Sequence, residues 1–387
     1  MDRSEAAHPC WADIDLEALE RNYLNVQRRL KPGTHIICSI KADAYGHGAV
    51  AVAERLAAMG CHSLATGDID EAIAMRRAGV RAKIVMFAGP LPEGLQEFLA
   101  HDLIPTVYDH EGAEAVSRAA TKSTPVYVKV DCGLGRLGVR LDEAAEYIAG
   151  IARLANIVIE GVYSHVPFAT RATAEWSQRG LHAFGGLIAE LARRGIRPEI
   201  TQARASSGVL MDLDDPCNAV CVGHLLYGLS SMAPGEAELA GFEPILAAVR
   251  GRLVHIGRHP AGRDIAVGGL YGINSARTTG VLPMGMTNGL RMPAPGNQAF
   301  ALFRGRRVPV LSVSLEHTTL DLTDLQDLKV GEAVTVLGAD GAERITIEDI
   351  AEWQGRAPLE VAMTLSKRLP FRHGNRADDV WANFGTN

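Results

Sequence analysis

Short apolar runs alternate with amphipathic stretches through the first 230 or so residues. Most apolar runs have the length of a buried strand, and most are followed by a stretch with apolar positions three and four apart, which is typical of a helix. A short strand (Trp11–Asp15) and a helix (Leu16–Leu30) come first. The runs that follow are Ile36–Ile40, His62–Gly67, Lys83–Phe87, Ile104–Tyr108, Val126–Val130, Ile157–Ser164, Glu199–Ala203 and Ala219–Tyr227. Eight strands separated by helices predict an α/β fold of the (β/α)8 barrel type.

The pattern changes after about Gly228, and from Pro244 onward the helical period disappears. Short β-rich runs, punctuated by Gly, Pro and Asn, predict a mainly antiparallel β domain that closes with two short helices. The runs are Leu246–Ile256, Thr279–Met284, Ala299–Phe303, Arg307–Ser314, Thr318–Leu322 and Ala333–Leu337, and the helices are Ile347–Trp353 and Pro358–Ser366. We therefore predict a barrel domain over residues 1–240 and a β domain over residues 241–387. Residues 1–15 are a candidate addition to the β domain.

Composition limits the classes of partner. The 387 residues are 47% hydrophobic and carry a formal net charge of −6 without a basic block, which argues against nucleic acid as a partner. The six cysteines are scattered, so we predict neither a structural zinc site nor a disulfide framework. Nowhere do eighteen apolar residues follow one another, and no apolar segment follows the first residues. These features predict a cytoplasmic protein without a membrane partner.

Lys41 closes the first apolar run of the barrel pattern, directly before a Gly-containing turn. In a barrel this position places an amine at the mouth, where the active site lies. Burial there lowers the pKa of the amine and frees it to form a Schiff base with an aldehyde. From the strand and turn alone, an ordinary lysine that extends out of a strand into solvent is the favoured interpretation.

The complete string Lys41–Gly48, KADAYGHG, resembles the cofactor-lysine motif of the alanine racemase family. The resemblance implies that Lys41 carries pyridoxal 5'-phosphate (PLP) and that Tyr45 bonds its phosphate. It extends over nearly the whole chain, because a barrel followed by a β domain is also the organisation of that family.

Further positions match the same family. Arg136, in the string DCGLGRLG, is matched to the arginine that bonds the phenolic oxygen of the cofactor and helps to hold the substrate carboxylate. His165 is matched to a histidine that lies against the cofactor ring. Ser206, Gly223 and His224 follow the last two barrel strands and are matched to the phosphate contacts. Loops after these two strands often bind phosphate in barrels.

Other positions depart from the family. Met286 falls where the family has its second base, a Tyr from the partner subunit, and a thioether cannot exchange a proton. Cys221 falls where an Arg usually faces the pyridine nitrogen. Leu315 replaces a substrate-binding Met that contributes mainly its backbone. Tyr271 and His317 are the candidates for a replacement base.

The resemblance implies a PLP-dependent isomerase that acts at Cα of a small amino acid through a Schiff base on Lys41. It also implies a homodimer in which each active site borrows residues from the partner's β domain. Two alternatives remain open. One is a one-base PLP enzyme that catalyses stereospecific exchange, retro-aldol cleavage, elimination or decarboxylation. The other is a protein that binds PLP without turnover.

Overall fold

Eight parallel strands form a barrel in the first part of the chain. The computed structural model describes residues 8–89, 91–265 and 271–373. The strands of this part are β1 (Cys10–Ile14), β2 (His35–Ser39), β3 (Ser63–Thr66), β4 (Lys83–Met86), β5 (Thr106–Val107), β6 (Thr124–Asp131), β7 (Val139–Arg140), β8 (Ile157–Val166), β9 (Ile200–Arg204) and β10 (Ala219–Val222). All except β1 and β7 belong to the barrel, in the order β4-β3-β2-β10-β9-β8-β6-β5.

The barrel closes between β4 and the residues that lead into β5. Val85 and Ile104 form a parallel bridge. The Ile104 amide donates to the carbonyl oxygen of Ile84, and the Met86 amide donates to that of Ile104, both at 2.9 Å. The (β/α)8 barrel predicted from the sequence is therefore confirmed.

Apolar side chains from the strands fill the inside of the barrel. This cluster consists of Ile37, Ala65, Val85, Ile104, Tyr127, Tyr163, Ile200 and Ala219, with Phe87 and Cys221 packed against it. Its two tyrosines are large, and a Cβ at Gly161 would lie only 2.4 Å from the Tyr127 ring. The glycine in β8 thus makes room for the tyrosine of β6.

Helices cover the outside of the strands because each presents one apolar face. They are α1 (Leu16–Arg28), α2 (Ala49–Ala58), α3 (Ile69–Arg77), α4 (Leu95–Ala100), α5 (His110–Ala119), α6 (Ala144–Ile151), α7 (Ala174–Arg193) and the short α8 (Ser206–Leu210). In α7 the buried residues Leu181, Phe184, Leu187 and Leu191 recur at three- and four-residue spacing. None of the helices in the described part of the chain is long and apolar enough to cross a membrane.

A mainly antiparallel sheet forms the second part of the chain. Its elements are β11 (Leu246–Arg252), β12 (His255–His259), β13 (Arg263–Ile265), β14 (Tyr271–Ile273), β15 (Arg277–Leu282), β16 (Phe300–Phe303), β17 (Arg306–Val313), β18 (Thr318–Asp321), β19 (Ala333–Asp340), β20 (Glu343–Ile345), α9 (Ile347–Gln354), α10 (Pro358–Leu365) and β21 (Phe371–His373). The main sheet has the order β12-β15-β18-β17-β16-β19-β11-β1-β21, and β20 pairs with β19. The N-terminal β1 lies antiparallel to β11 and parallel to β21.

Contacts divide the chain into two compact units, residues 18–243 and the described residues of 1–17 together with 244–387. Thr346 caps the first helix of the second unit, because its Oγ1 accepts from the Asp349 amide at 3.1 Å. Asp349 in turn accepts from the Thr346 amide at 2.7 Å, which completes a capping box.

Two predicted strands are wrong in their extent. The last barrel strand ends at Val222 instead of Tyr227, because the backbone breaks at Gly223 into a 3-10 turn, His224–Tyr227. The run Leu246–Ile256 is two strands. The chain changes partners at Leu253 and Val254, whose amides donate to Glu332 and to Val281 respectively.

Candidate active site

Lys41 begins a left-handed helical turn, separated by one residue from the end of β2. Ala42, Asp43, Ala44 and Tyr45 all have φ between +52 and +56°. Left-handed helical backbone costs a non-glycine residue roughly 1–2 kcal/mol, so four such residues carry about 4–8 kcal/mol of strain. Strain of this kind is retained where the surrounding structure holds it, often at functional sites.

Hydrogen bonds on both sides of the turn hold it. The Ala44 amide donates to the Ile40 carbonyl oxygen at 2.9 Å, and His47 Nδ1 donates to the Ala44 carbonyl oxygen at 2.9 Å. The Asp43 carboxylate accepts from the Ala49 amide at 2.7 Å and so joins the turn to the start of α2. The turn therefore directs both Lys41 and Tyr45 from a fixed backbone.

A cavity of about 270 Å³ lies at the ends of the barrel strands. The seven predicted site residues of the barrel line it together, although they come from five separate places in the sequence. They are Lys41, Tyr45, Arg136, His165, Ser206, Gly223 and His224. Lys129 and Cys221 line the same cavity.

Tyr45, Ser206 and Gly223 meet in one corner of the cavity. The Gly223 amide donates to Ser206 Oγ at 3.1 Å. A Cβ at Gly223 would lie 2.3 Å from the Tyr45 hydroxyl oxygen, so only glycine fits there. Tyr45 is 4% exposed and packs on the ring of Tyr227, with 4.7 Å between centroids. This corner combines hydroxyl groups and a backbone amide, the donors that bind a phosphate.

Burial shifts the pKa values of the titratable groups in the cavity. Lys41 is open to the cavity, yet desolvation, together with the nearby Arg136 guanidinium, lowers the pKa of its amine. Burial, with the positive charges of Lys129, Lys41 and Arg136, lowers the pKa of His165 to about 3. Burial and Lys41 lower the pKa of His224 to about 4. Both imidazoles are therefore neutral near pH 7 and can lie against a ring or near a cation.

Arg136 is presented by a loop that a single carboxylate organises. Asp131, the last residue of β6, accepts hydrogen bonds from the amides of Gly133, Leu134 and Gly135 at 2.8–3.2 Å. Gly133 and Gly135 have φ of +110 and +72°, which side-chain-bearing residues rarely adopt. The sequence indicated the glycines, and the structure adds the role of Asp131.

Lys129 and Cys221 add a second amine and a thiol to the cavity. Lys129 is 7% exposed, and its Nζ lies 4.2 Å from the centre of the Tyr163 ring. Burial lowers the pKa of Lys129 to about 8. Burial raises the pKa of the Cys221 thiol to about 11, so the thiol is uncharged near neutral pH.

Ser231 is a cavity residue that our sequence interpretation missed. Its hydroxyl is buried, and within the described residues it has no hydrogen-bond partner. A buried hydroxyl without a partner is costly unless a ligand or water completes it. The available signal was its position in the loop after the last barrel strand, which is one of the two phosphate-binding loops of many barrels.

Met286 and Leu315 lie together in the second unit. Met286 begins a 3-10 turn, Met286–Asn288, and its amide donates to the Ser314 carbonyl oxygen at 2.9 Å. The Thr287 amide donates to Leu315 at 3.0 Å, and the two apolar side chains are 50% and 63% exposed. His317 follows in the same loop, where its amide donates to Ser314 Oγ. The prediction for Tyr271 concerns a side chain outside the described residues.

Comparisons with known proteins place both parts of the chain in one family. Residues 14–231 match the family model described as alanine racemase, N-terminal domain, and residues 246–373 match alanine racemase, C-terminal domain. The chain is 33% identical over 365 residues to an alanine racemase of Thermodesulfovibrio yellowstonii, covering 92% of this chain and 95% of the relative. It is 30% identical over 370 residues to an alanine racemase of Methanococcus maripaludis, covering 94% and 98%.

Solved structures give the same result for the fold. An alanine racemase of Clostridium difficile superposes with a TM-score of 0.87 at 25% identity, covering 96% of this chain and 97% of that one. An alanine racemase from E. faecalis superposes with a TM-score of 0.86 at 27% identity, covering 95% and 98%.

Proposed function

The chain belongs to the alanine racemase family, and we propose that it is a PLP-dependent enzyme that exchanges the α-proton of a small amino acid. The proposal rests on one observation. Seven residues from separate parts of the sequence line a single cavity around the amine of Lys41. The printed names of the relatives make alanine the first substrate to test.

The residues of the cavity fit a phosphorylated aldehyde. Lys41 supplies an amine with a lowered pKa, which favours its nucleophilic form. The corner of Tyr45, Ser206 and Gly223 supplies donors for a phosphate. Ser231 in the same cavity adds a hydroxyl that has no partner among the described residues. A ring between these two ends would lie near the neutral imidazole of His165 and the guanidinium of Arg136. We therefore assign the phosphate to this corner and the aldehyde to Lys41.

PLP, when bound, withdraws electrons from the Cα–H bond of an attached amino acid and makes its proton removable. Lys41 then acts as the base on one face of Cα, because desolvation in the cavity lowers the pKa of its amine. Arg136 binds the substrate carboxylate, and Leu315 contributes to the substrate site through its backbone. These assignments account for substrate binding and for proton removal on one face of Cα.

The second face of Cα needs its own acid or base. Met286 stands at the family's second-base position in our sequence comparison, and its thioether neither donates nor accepts a proton usefully. His317, two residues after Leu315, is the candidate replacement whose position the structure describes. Without a second base, proton return is stereospecific and racemisation is slow.

A one-base enzyme is therefore the second candidate function. Met286 favours it, and Cys221 adds to this because an uncharged thiol cannot act as the arginine that the family places opposite the pyridine nitrogen. Such a site could catalyse any of four reactions: stereospecific exchange, retro-aldol cleavage, elimination or decarboxylation. A PLP-binding protein without turnover is the third candidate.

Incubation with L-alanine and D-alanine in D2O separates these functions. Chiral chromatography measures inversion, and mass spectrometry measures deuterium at Cα. Racemisation predicts both enantiomers with deuterium, and a one-base enzyme predicts deuterium with retained configuration. If the protein binds PLP but incorporates no deuterium into alanine or into a panel of other amino acids, the remaining function is PLP binding without turnover.

Met286→Tyr tests the second-base assignment, and Met286→Phe is its matched control because it adds the same ring without the hydroxyl. We expect Met286→Tyr alone to increase inversion. Equal inversion rates in the two variants would show that residue 286 does not face the substrate.

We also propose that the protein is a cytoplasmic homodimer whose β domain contributes to the partner's site. Size-exclusion chromatography with light scattering measures the mass, and a monomer that racemises alanine would contradict the shared site.

A further inference from the structure

A carboxylate from the neighbouring βα unit reaches the left-handed turn that carries Lys41. Glu71 lies in the first turn of α3, two residues after the helix begins. Its Oε1 accepts from the Asp43 amide at 2.5 Å, and its Oε2 accepts from Thr66 Oγ1 at 2.7 Å. Both carboxylate oxygens are thus in use, one on the turn and one on the end of β3.

The turn needs an acceptor at this point. The hydrogen bonds between the turn and the preceding strand begin with the Ala44 amide, which donates to Ile40. The amide one residue earlier, that of Asp43, donates to Glu71. Because residues 42–45 are all non-glycine and all left-handed, losing this bond would leave a strained segment with a free amide.

The Glu71 carboxylate lies near two other acidic side chains, those of Asp43 and Asp68. Partial burial raises the pKa of Glu71, as do the nearby Asp68 and Asp43 carboxylates to a smaller extent, whereas the hydrogen bonds from Thr66 Oγ1 and the Asp43 amide lower it. The two neighbouring carboxylates therefore disfavour the charged form of Glu71, and the two hydrogen bonds that it accepts favour that form. A charged acceptor makes a hydrogen bond about twice as strong as a neutral one.

We propose that Glu71 is a positioning residue that holds the left-handed turn and thereby fixes the Lys41 amine and the Tyr45 ring in the cavity. Lys41 begins the turn and Tyr45 lies near its end, with 5.9 Å between the amine and the centre of the tyrosine ring. Both groups therefore depend on one backbone segment, and Glu71 holds that segment from outside. The expected effect of Glu71 on PLP binding rests on the proposed function, whereas its effect on the conformation of the turn does not.

The first test measures the turn without cofactor. Hydrogen exchange with mass spectrometry follows the amides of residues 41–48 in PLP-free protein. In Glu71→Ala we expect their exchange to accelerate about tenfold or more, with little change in distant strands. Glu71→Gln, which keeps an acceptor without the charge, should be intermediate. Asp70→Ala is the matched control, because it removes an exposed carboxylate from the same helix turn and should exchange like the wild type.

The second test measures the amine. The pH dependence of the reaction of Lys41 with trinitrobenzenesulfonate, located by peptide mapping, gives its pKa in PLP-free protein. We expect this pKa to rise towards 10.5 in Glu71→Ala, because a released lysine is better solvated. We also expect PLP affinity to fall about tenfold or more. Asp70→Ala should leave both quantities unchanged.

Three outcomes are decisive. Unchanged exchange at residues 41–48 in Glu71→Ala would overturn the proposal. Faster exchange with an unchanged Lys41 pKa would reduce Glu71 to a structural residue and would also overturn it. If the wild type binds no PLP but both PLP-free measurements change as expected, Glu71 keeps its positioning role and the proposed function fails. If Glu71→Ala does not fold, the same comparisons apply to Glu71→Gln.

Discussion

Gly223→Ala introduces the smallest possible side chain into the corner assigned to phosphate. The new Cβ would lie 2.3 Å from the Tyr45 hydroxyl oxygen and 2.8 Å from Cζ of the same ring. An ordinary contact requires the two groups to separate by roughly 1 Å more. Tyr45 cannot easily retreat, because Tyr227 and His224 pack on its ring, at 4.7 and 5.3 Å between centroids.

Two consequences follow, and they are measured separately. Overpacking in a buried site should lower the free energy of unfolding by about 1–3 kcal/mol. Displacing the tyrosine hydroxyl removes a hydrogen bond to a charged phosphate, worth about 1.5–3 kcal/mol. That loss corresponds to a PLP dissociation constant raised roughly 10- to 150-fold.

PLP-free protein, prepared with hydroxylamine, is titrated with PLP while intrinsic fluorescence is recorded, and urea unfolding gives the stability. Gly186→Ala is the matched control, because a Cβ there meets no atom within 4 Å. Tyr45→Phe removes the hydroxyl without adding a clash and should lose a similar affinity. A folded Gly223→Ala protein with wild-type affinity for PLP would refute the assignment of this corner.

Two further predictions concern His47 and Asp131. His47 is fully buried and its pKa is lowered from 6.5 to about 4, so protonation favours the unfolded state below pH 6.5. Between pH 7 and pH 5 this should lower the free energy of unfolding by about 2 kcal/mol. Urea unfolding of PLP-free wild type and His47→Asn checks it, and an unchanged pH dependence in the variant would contradict it. Asp131→Ala removes the acceptor of three loop amides, so the KM for alanine should rise more than kcat falls. Asp142→Ala, an exposed carboxylate just beyond the loop, is the control, and equal KM values would contradict the role of Asp131.

The barrel was predictable because its signal repeats. Each strand is a short apolar run and each long helix an apolar stripe, and eight copies allow few other folds. The extent of the last strand was not predictable in the same way. Leu225, Leu226 and Tyr227 are apolar because they are buried in a 3-10 turn, and a short buried run looks the same in a strand or a turn.

The candidate site was predictable where a local string carries the chemistry, as around Lys41 and Arg136. The left-handed turn was not, because alanine and tyrosine rarely adopt positive φ and a single aspartate does so only as an isolated residue. Glu71 and Ser231 were missed for a related reason. Glu71 matters because of a hydrogen bond to a residue 28 positions away, and Ser231 because its hydroxyl is buried. Neither property can be read from the order of residues alone.

Reduction of the PLP-loaded protein with borohydride, followed by peptide mapping, tests the central claim most directly, because it fixes the cofactor to the amine that holds it. We predict a single pyridoxyl group on Lys41 and none in Lys41→Ala. A pyridoxyl group on Lys129, or none on any lysine of the wild type, would contradict the account.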